Sequence, residues 1–182
     1  MKFEQFEPPH YLKAYVRYFW TLRSDVDQSG LQRFRTIADG CPGLIFQHAD
    51  NGSLLQSGKV LEEAFIFGQT TRYAEIELSG NFNTVGAYFH PHALSTVFGL
   101  AAADLTDSCL GIYELSGKKE LSQQLSAAGT AKERIALLSA FIYTYVNRNT
   151  VCENLPMQFA LSEIIRSQGN ISLLELRNRL HL

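Results

Sequence analysis

Cysteine is scarce in this sequence. Three residues, Cys41, Cys109 and Cys152, odd in number and without a Cys-x-x-Cys pair, exclude both a disulfide framework and a structural zinc site. A reducing, cytoplasmic setting is the expectation. No stretch approaches the ~18 apolar residues needed to cross a bilayer, and Met1 to Pro9 lacks a basic region followed by an apolar core, so neither a membrane span nor secretion is expected. An excess of either charge is also missing: 16 basic and 18 acidic residues leave a net charge of −2. The chain as a whole therefore has no electrostatic reason to sit on nucleic acid, and any DNA-binding surface must be local. There is no Gly-x-Gly-x-x-Gly or Walker loop, and no Gly-x-Ser-x-Gly or Cys-Gly-x-Cys nucleophile turn. Dinucleotide, phosphate and nucleophilic chemistry thus lack support, and neither a catalytic residue nor a cofactor is assigned.

What is present is the balance of a folded chain, with 46% hydrophobic and 19% charged residues. Its 182 residues suit one core plus an appendage. From Tyr15 to Leu22 the residues Val16, Tyr18, Trp20 and Leu22 alternate with Arg17 and Thr21, as in a half-buried strand. Further strand-like runs are Leu31 to Ile37, Gly43 to His48, Ser53 to Gln56, Ala64 to Phe67, Tyr73 to Leu78 and Thr84 to Phe89. Asp50-Asn51-Gly52 carries a tight-hairpin signal. Residues 1–89 are therefore expected to be an antiparallel barrel or sandwich of cupin-like form.

At His90 the pattern turns helical. Pro91 opens a helix carrying Leu94, Val97 and Phe98 that Gly99 can end. Asp104 to Tyr113 is expected to be a short helix, and Leu121 and Leu125 mark another ending at Gly129. Thr130 with Glu133 reads as a capping box before a long helix to Asn147. That helix has two apolar faces, Ile135, Leu138 and Ile142 on one and Leu137, Phe141 and Tyr145 on its neighbour, a breadth that suits either core packing or pairing of two chains. A helix bearing Met157, Ala160, Leu161, Ile164 and Ile165 follows Pro156 and stops near Gly169. Ser172 with Glu175 caps a last one carrying Leu176 and Leu180. The expected class is α+β: a domain over 1–150 (β-rich 1–89, helical 90–150), then the first helices of a helix-turn-helix unit in 151–182.

The stretch "ALSEIIRSQGNISLLELRNRLHL", Ala160 to Leu182, resembles the first two helices of an AraC-type DNA-binding domain. Upstream, "YVRYFW", "ADGCPGLIF" and "FHPHALSTVFGLAAADLTD" are similar to the N-terminal domain that accompanies this module in one branch of the family. The resemblance spans almost the entire chain. It departs from the family at Ala38, where proline is usual, at His92, where glycine is usual, and at Arg177, where a small alanine lets the recognition helix pack closely. It implies a bacterial transcription regulator, not an enzyme, truncated before its recognition helix. Its N-terminal domain would sense a small-molecule effector or form a homodimer. Promoter DNA would be the partner of a full-length protein, and base-specific binding by this chain alone would be negligible.

Within that expectation, Tyr18, Trp20, Phe46, Phe67 and Tyr88, with Arg35 and His48 as polar groups, are candidates to line an effector pocket. Arg166, Arg177, Arg179 and His181 are candidates to meet phosphates beside the first major groove. The rival reading is a cupin-like metal-binding enzyme or small-molecule-binding protein. There His48, His90 and His92 would hold a divalent ion and Cys41 could add sulfur.

Overall fold

The computed structural model describes residues 2–24, 32–35, 37–49, 54–56, 59–73, 75–78, 81–117, 120–149 and 155–180. The hairpin expected at Asp50-Asn51-Gly52 lies outside them. The chain divides into two units, Met1–Asn149 and Thr150–Leu182.

The first unit carries ten strands in two antiparallel sheets, neither of which closes on itself among the described residues. The larger sheet contains β1 (Lys2–Phe6), β2 (Val16–Arg23), β4 (Gly43–Ala49), β7 (Ala64–Phe67), β9 (Phe82–Phe89) and β10 (Cys109–Gly111), in the spatial order β1-β2-β9-β4-β7-β10. The smaller contains β3 (Gln32–Arg35), β5 (Leu54–Gln56), β6 (Lys59–Val60) and β8 (Glu75–Leu78), in the order β3-β8-β5-β6. The barrel alternative is thus not what the described strands form. The register of the smaller sheet is fixed by opposite charges facing one another across β3 and β8, with Arg33 2.8 Å from Glu77 and Arg35 3.0 Å from Glu75.

Both sides of the central strands are largely buried, and this accounts for the apolar runs Leu44–Phe46 of β4, Ala64–Phe67 of β7 and Val85–Ala87 of β9. One face carries Phe19, Leu44, Phe46, Ala64, Ile66, Val85, Ala87 and Phe89 into the main core. The helices pack there: α1 (Ala93–Phe98), α2 (Ile112–Ser116), α3 (Glu120–Ala127) and α4 (Ala131–Asn149) contribute Leu94, Val97, Ile112, Leu125, Leu138 and Ile142. A register shift between Val16 and Tyr18 turns Val16 to this side, so that it joins Phe19 in the core while Tyr18, Trp20 and Leu22 face the other way. The simple alternation expected of β2 is corrected accordingly: the side opposite Trp20 is buried as well, with Thr21 1% exposed.

One further expectation fails. Residues 104–111 are not helical, and only 112–113 belong to a helix, α2; a turn with Asp107 at φ 56° leads into β10, which pairs with β7. At the N-terminus β1 pairs with β2. The capping box of α4 does form, reciprocally: the Glu133 amide donates to Thr130 Oγ1 at 3.2 Å and the Thr130 amide to Glu133 Oε2 at 3.0 Å. The second apolar face of α4, with Leu137, Phe141 and Tyr145, packs against its own core. Among the described residues, no helix is long and apolar enough to cross a membrane.

His90 and His92 follow β9, with ring centroids 6.0 Å apart, and are bonded to the backbone of Lys13 and Ala14. Burial holds both imidazoles below the usual histidine range; Arg17 lowers His90 further, and His90 lowers His92. Protons refused by the native state are accepted by the unfolded chain, so stability falls as pH drops below about 6.5, the unfolded value. The urea midpoint is therefore expected to be lower at pH 5.5 than at pH 7.5. In a His90→Asn/His92→Gln double variant that difference shrinks; an unchanged difference would assign the effect to other groups.

The second unit holds α5 (Leu155–Arg166) and α6 (Leu173–Arg179). The turn between them passes through Gln168 and Gly169 at positive φ, and Ser172 Oγ caps α6 by accepting the Glu175 amide at 3.1 Å. Glu163 of α5, nearly buried, accepts two bonds from Arg166 at 2.9 and 2.8 Å and one from Arg179 of α6, which also reaches Glu175 at 2.6 Å. Arg166 first, then Arg179, holds the Glu163 carboxyl below the usual carboxylate range.

Candidate functional site: a cavity between the two sheets

The face of the larger sheet turned away from the helices meets the smaller sheet only in part. Phe82 packs against Leu22, Phe34, Leu61 and Ile76 at one end. Beside this contact lies a cavity of about 470 Å³, within the size range of small-molecule sites.

Strand register explains its floor. Three rows of residues cross the sheet on this face: Tyr18, Tyr88, Gly43, Phe67 and Cys109; then Trp20, Gly86, Ile45 and Phe65; then Leu22, Thr84 and Gln47. Aromatic residues stand directly across the ladder from glycine, among them Trp20 opposite Gly86 and Phe67 opposite Gly43. The rings of Trp20 and Phe67 press on those glycines: a Cβ on Gly86 would stand 2.5 Å from Trp20 Cε2, and one on Gly43 2.5 Å from Phe67 Cζ. The missing side chains are what allow the rings to come this close to the backbone. Tyr18 and Tyr88 stack beside them, centroids 5.2 Å apart and planes 5° from parallel.

One wall comes from the segment Ala38–Pro42. Asp39 Oδ1 accepts the Cys41 amide at 3.1 Å, closing a turn, and Oδ2 accepts the Tyr88 hydroxyl at 2.7 Å. Burial, and then this bond to Asp39, raises the Tyr88 phenol well above its usual range. The Arg17 guanidinium donates to Cys41 Sγ at 3.1 Å. A second wall is Asp107 and Ser108, at the end of a turn docked on the loop after β7. Gln69 donates to Thr106 Oγ1 at 3.1 Å, while the amide and hydroxyl of Thr71 donate to the Asp107 carboxylate at 2.8 and 2.6 Å. Those two bonds hold the Asp107 carboxyl below its usual range.

Two polar side chains of the floor stand out. Thr84 is 3% exposed, and its Oγ1 has no hydrogen-bond partner among the described residues. At Cys109, burial pushes the thiol up to about 11. At pH 8 about one molecule in a thousand then carries the thiolate. Alkylation of Cys109 by iodoacetamide, followed by peptide mass mapping, is expected to run at least about 100-fold slower in the native chain than in urea. Comparable rates would contradict the burial.

Of the residues the sequence nominates for a pocket, Tyr18, Trp20, Arg35, Phe67 and Tyr88 line this one cavity. Phe46 does not. Alternation along β4 sends it to the opposite face, where it is fully buried below the Arg134 guanidinium. The side chain of His48 lies outside the described residues. Sequence reasoning missed Asp39, Thr84, Ile45, Phe65 and the Asp107 segment; only the Asp-Gly turn carried a usable signal.

The histidine metal site is corrected by register. The His48 backbone pairs with Asn83, at the far end of β9 from His90, so about 20 Å of strand separates them. Among the described residues no group of three metal-binding side chains exists. Of the candidates for phosphate contact, Arg166 and Arg179 are spent on Glu163, Arg177 is exposed, and His181 lies outside the described residues.

These features define an α+β domain whose two antiparallel sheets enclose an aromatic cavity. Residues 4–111 match the family described as a domain of unknown function, DUF6597, and the chain belongs to that family. No curated protein and no solved structure matches the chain.

Proposed function

We propose that this chain is the effector-sensing part of an AraC-type transcription regulator, with α5 and α6 the opening helices of its DNA-binding domain. The observation that carries the reading is the succession along the chain. A DUF6597 domain, a family that commonly stands N-terminal to AraC-type regulators, is followed by two short helices, the second capped by Ser172, joined through Gly169 and tied by Glu163. The stretches that resemble the family's N-terminal domain add support, because three of them supply cavity walls: Tyr18 and Trp20, Asp39 and Cys41, and Asp107. Effector binding between the sheets would alter DNA affinity only by favouring one arrangement of the regulator over another. Pairing of two chains belongs to the same reading, since such regulators grip two half-sites.

Chromatin precipitation, in the host, of a tagged regulator in which a recognition helix follows α6 tests this. The expected result is occupancy of a small number of promoters, with transcription from them changed when the gene is deleted. No promoter occupancy and no transcript change would reject the reading.

A further inference from the structure

We infer that the cavity takes an amphipathic organic cation, an apolar body carrying one ammonium group, with the body between the sheets and the ammonium at Asp39 and Asp107. The inference rests on the reading of the cavity as the effector site and names the chemistry of what enters it.

The amphipathic shape follows from strand register, which gives the cavity two unlike ends. At one end Phe82, Leu22, Phe34, Leu61 and Ile76 pack together. The row of Tyr18, Tyr88, Gly43, Phe67 and Cys109 lies furthest from that contact, and both β4 and β10 run from this row toward it. Asp39 and Asp107, which precede those two strands, therefore stand beyond the row, at the opposite end. Both are exposed, whereas Ile45 and Phe65 in the middle of the floor are buried. A ligand laid along the cavity thus removes an apolar body from water while its charged group stays at the wet end, where a cation keeps part of its hydration.

The sign of the charge follows from what the two carboxylates accept. Asp39 is bonded by the Tyr88 hydroxyl and the Cys41 amide, and Asp107 by the amide and hydroxyl of Thr71. Neutral donors orient a carboxylate and leave its charge in place. Among the described residues neither carboxylate belongs to an ion pair. Two arginines flank them: Arg17 gives its bond to Cys41 Sγ at 3.1 Å, and the Arg72 guanidinium acts on Asp107 without a side-chain bond to it. Arg35, the cation of the described lining, is already 3.0 Å from Glu75 and stands over the Tyr73 ring, 5.2 Å from its centroid. The wet end of an otherwise apolar cavity is therefore anionic, and such a mouth draws in a cation and repels an anion. Aromatic walls suit the same charge, as the Arg17 guanidinium 6.0 Å from the Tyr88 centroid illustrates.

The test uses the whole chain and three probes of one skeleton: the cation 4-phenylbutylamine, the neutral 4-phenylbutanol and the anion 4-phenylbutyrate. Affinities come from calorimetry, and a change in the fluorescence of Trp20, the single tryptophan of the chain, reports entry into the cavity. The amine is expected to bind at least about tenfold tighter than the alcohol, and the carboxylate more weakly than either. Butylamine, with the charge but little of the body, should be at least about tenfold weaker than 4-phenylbutylamine. An Asp39→Asn/Asp107→Asn variant keeps the shape and removes the charge, so the amine should fall to the level of the alcohol while the alcohol binds as before. Should that variant fail to fold, the order of the probes on the parent still decides. No binding of the amine, binding that leaves Trp20 unchanged, an alcohol or carboxylate as tight as the amine, or a preference for the amine that survives in the folded variant would overturn the ligand class. Promoter occupancy is untouched by these outcomes, so the failure of this inference is distinguishable from the failure of the regulator reading.

Discussion

Replacing Gly68 by alanine is expected to cost about 3 kcal/mol of stability, at the upper end for a single added methyl group. The new Cβ would fall inside the van der Waals envelope of the Leu105 carbonyl oxygen, 2.5 Å from the Leu105 carbonyl carbon and 2.6 Å from its Cβ. These are mostly backbone atoms and cannot swing aside. The loop after β7 would have to lift off the 105–108 turn, breaking the bond from the Gly68 amide to Ser108 O at 3.1 Å and that from the Asp107 amide to Gln69 O at 2.9 Å. The side-chain bonds of Gln69 and Thr71 would follow, and with them one wall of the cavity. Gly117→Ala is the control: there φ is +67° but nothing stands within 4 Å, so only the left-handed backbone penalty of about 1 kcal/mol applies. Urea unfolding of both variants measures the difference. Equal losses would mean that the Leu105-Thr106-Asp107 segment is not clamped on the loop.

The second large effect separates two aromatic residues that the sequence treats alike. Phe46→Ala is expected to destabilise the fold by about 3–5 kcal/mol, because a fully buried ring leaves a hole that its neighbours fill only in part. Tyr18→Ala should cost about 1 kcal/mol, since its ring already borders empty space and its removal creates little new cavity. The ranking should reverse for ligand: Tyr18→Ala weakens binding, whereas Phe46→Ala, measured at a temperature where it remains folded, does not. Denaturation midpoints and calorimetry of the two variants decide the matter. Similar stability losses would place both residues in one core.

The pair also shows what was legible in the sequence. The strand-like pattern located β2, β4, β7 and β9 and grouped Tyr18, Trp20, Phe67 and Tyr88. It could not say which face of β4 looks into empty space, because both sides of the central strands are largely buried and both are apolar. Phe46 was therefore grouped with the wrong neighbours. Capping boxes are local hydrogen-bond patterns and transferred directly, as Thr130/Glu133 and Ser172/Glu175 do. β10 was hidden because Leu105, Cys109 and Ile112 fall at helical spacing while the strand exists only by pairing with β7, some forty residues earlier in the chain. β1, with Lys2 and Glu4 on an edge, carries too little apolar pattern to announce itself. Thr84 gave no signal at all. A threonine in a strand is ordinary, and only its burial without a partner singles it out.

The most direct check on the account is to let the protein choose its own ligand. The purified chain and an Ile45→Trp variant, in which the larger side chain fills the cavity, are each equilibrated with a small-molecule extract of the host, recovered, and analysed by mass spectrometry after denaturation. The expected result is one small molecule retained near one per chain by the parent and lost from the variant. The same compounds on both proteins, or no compound retained by the parent, would contradict it.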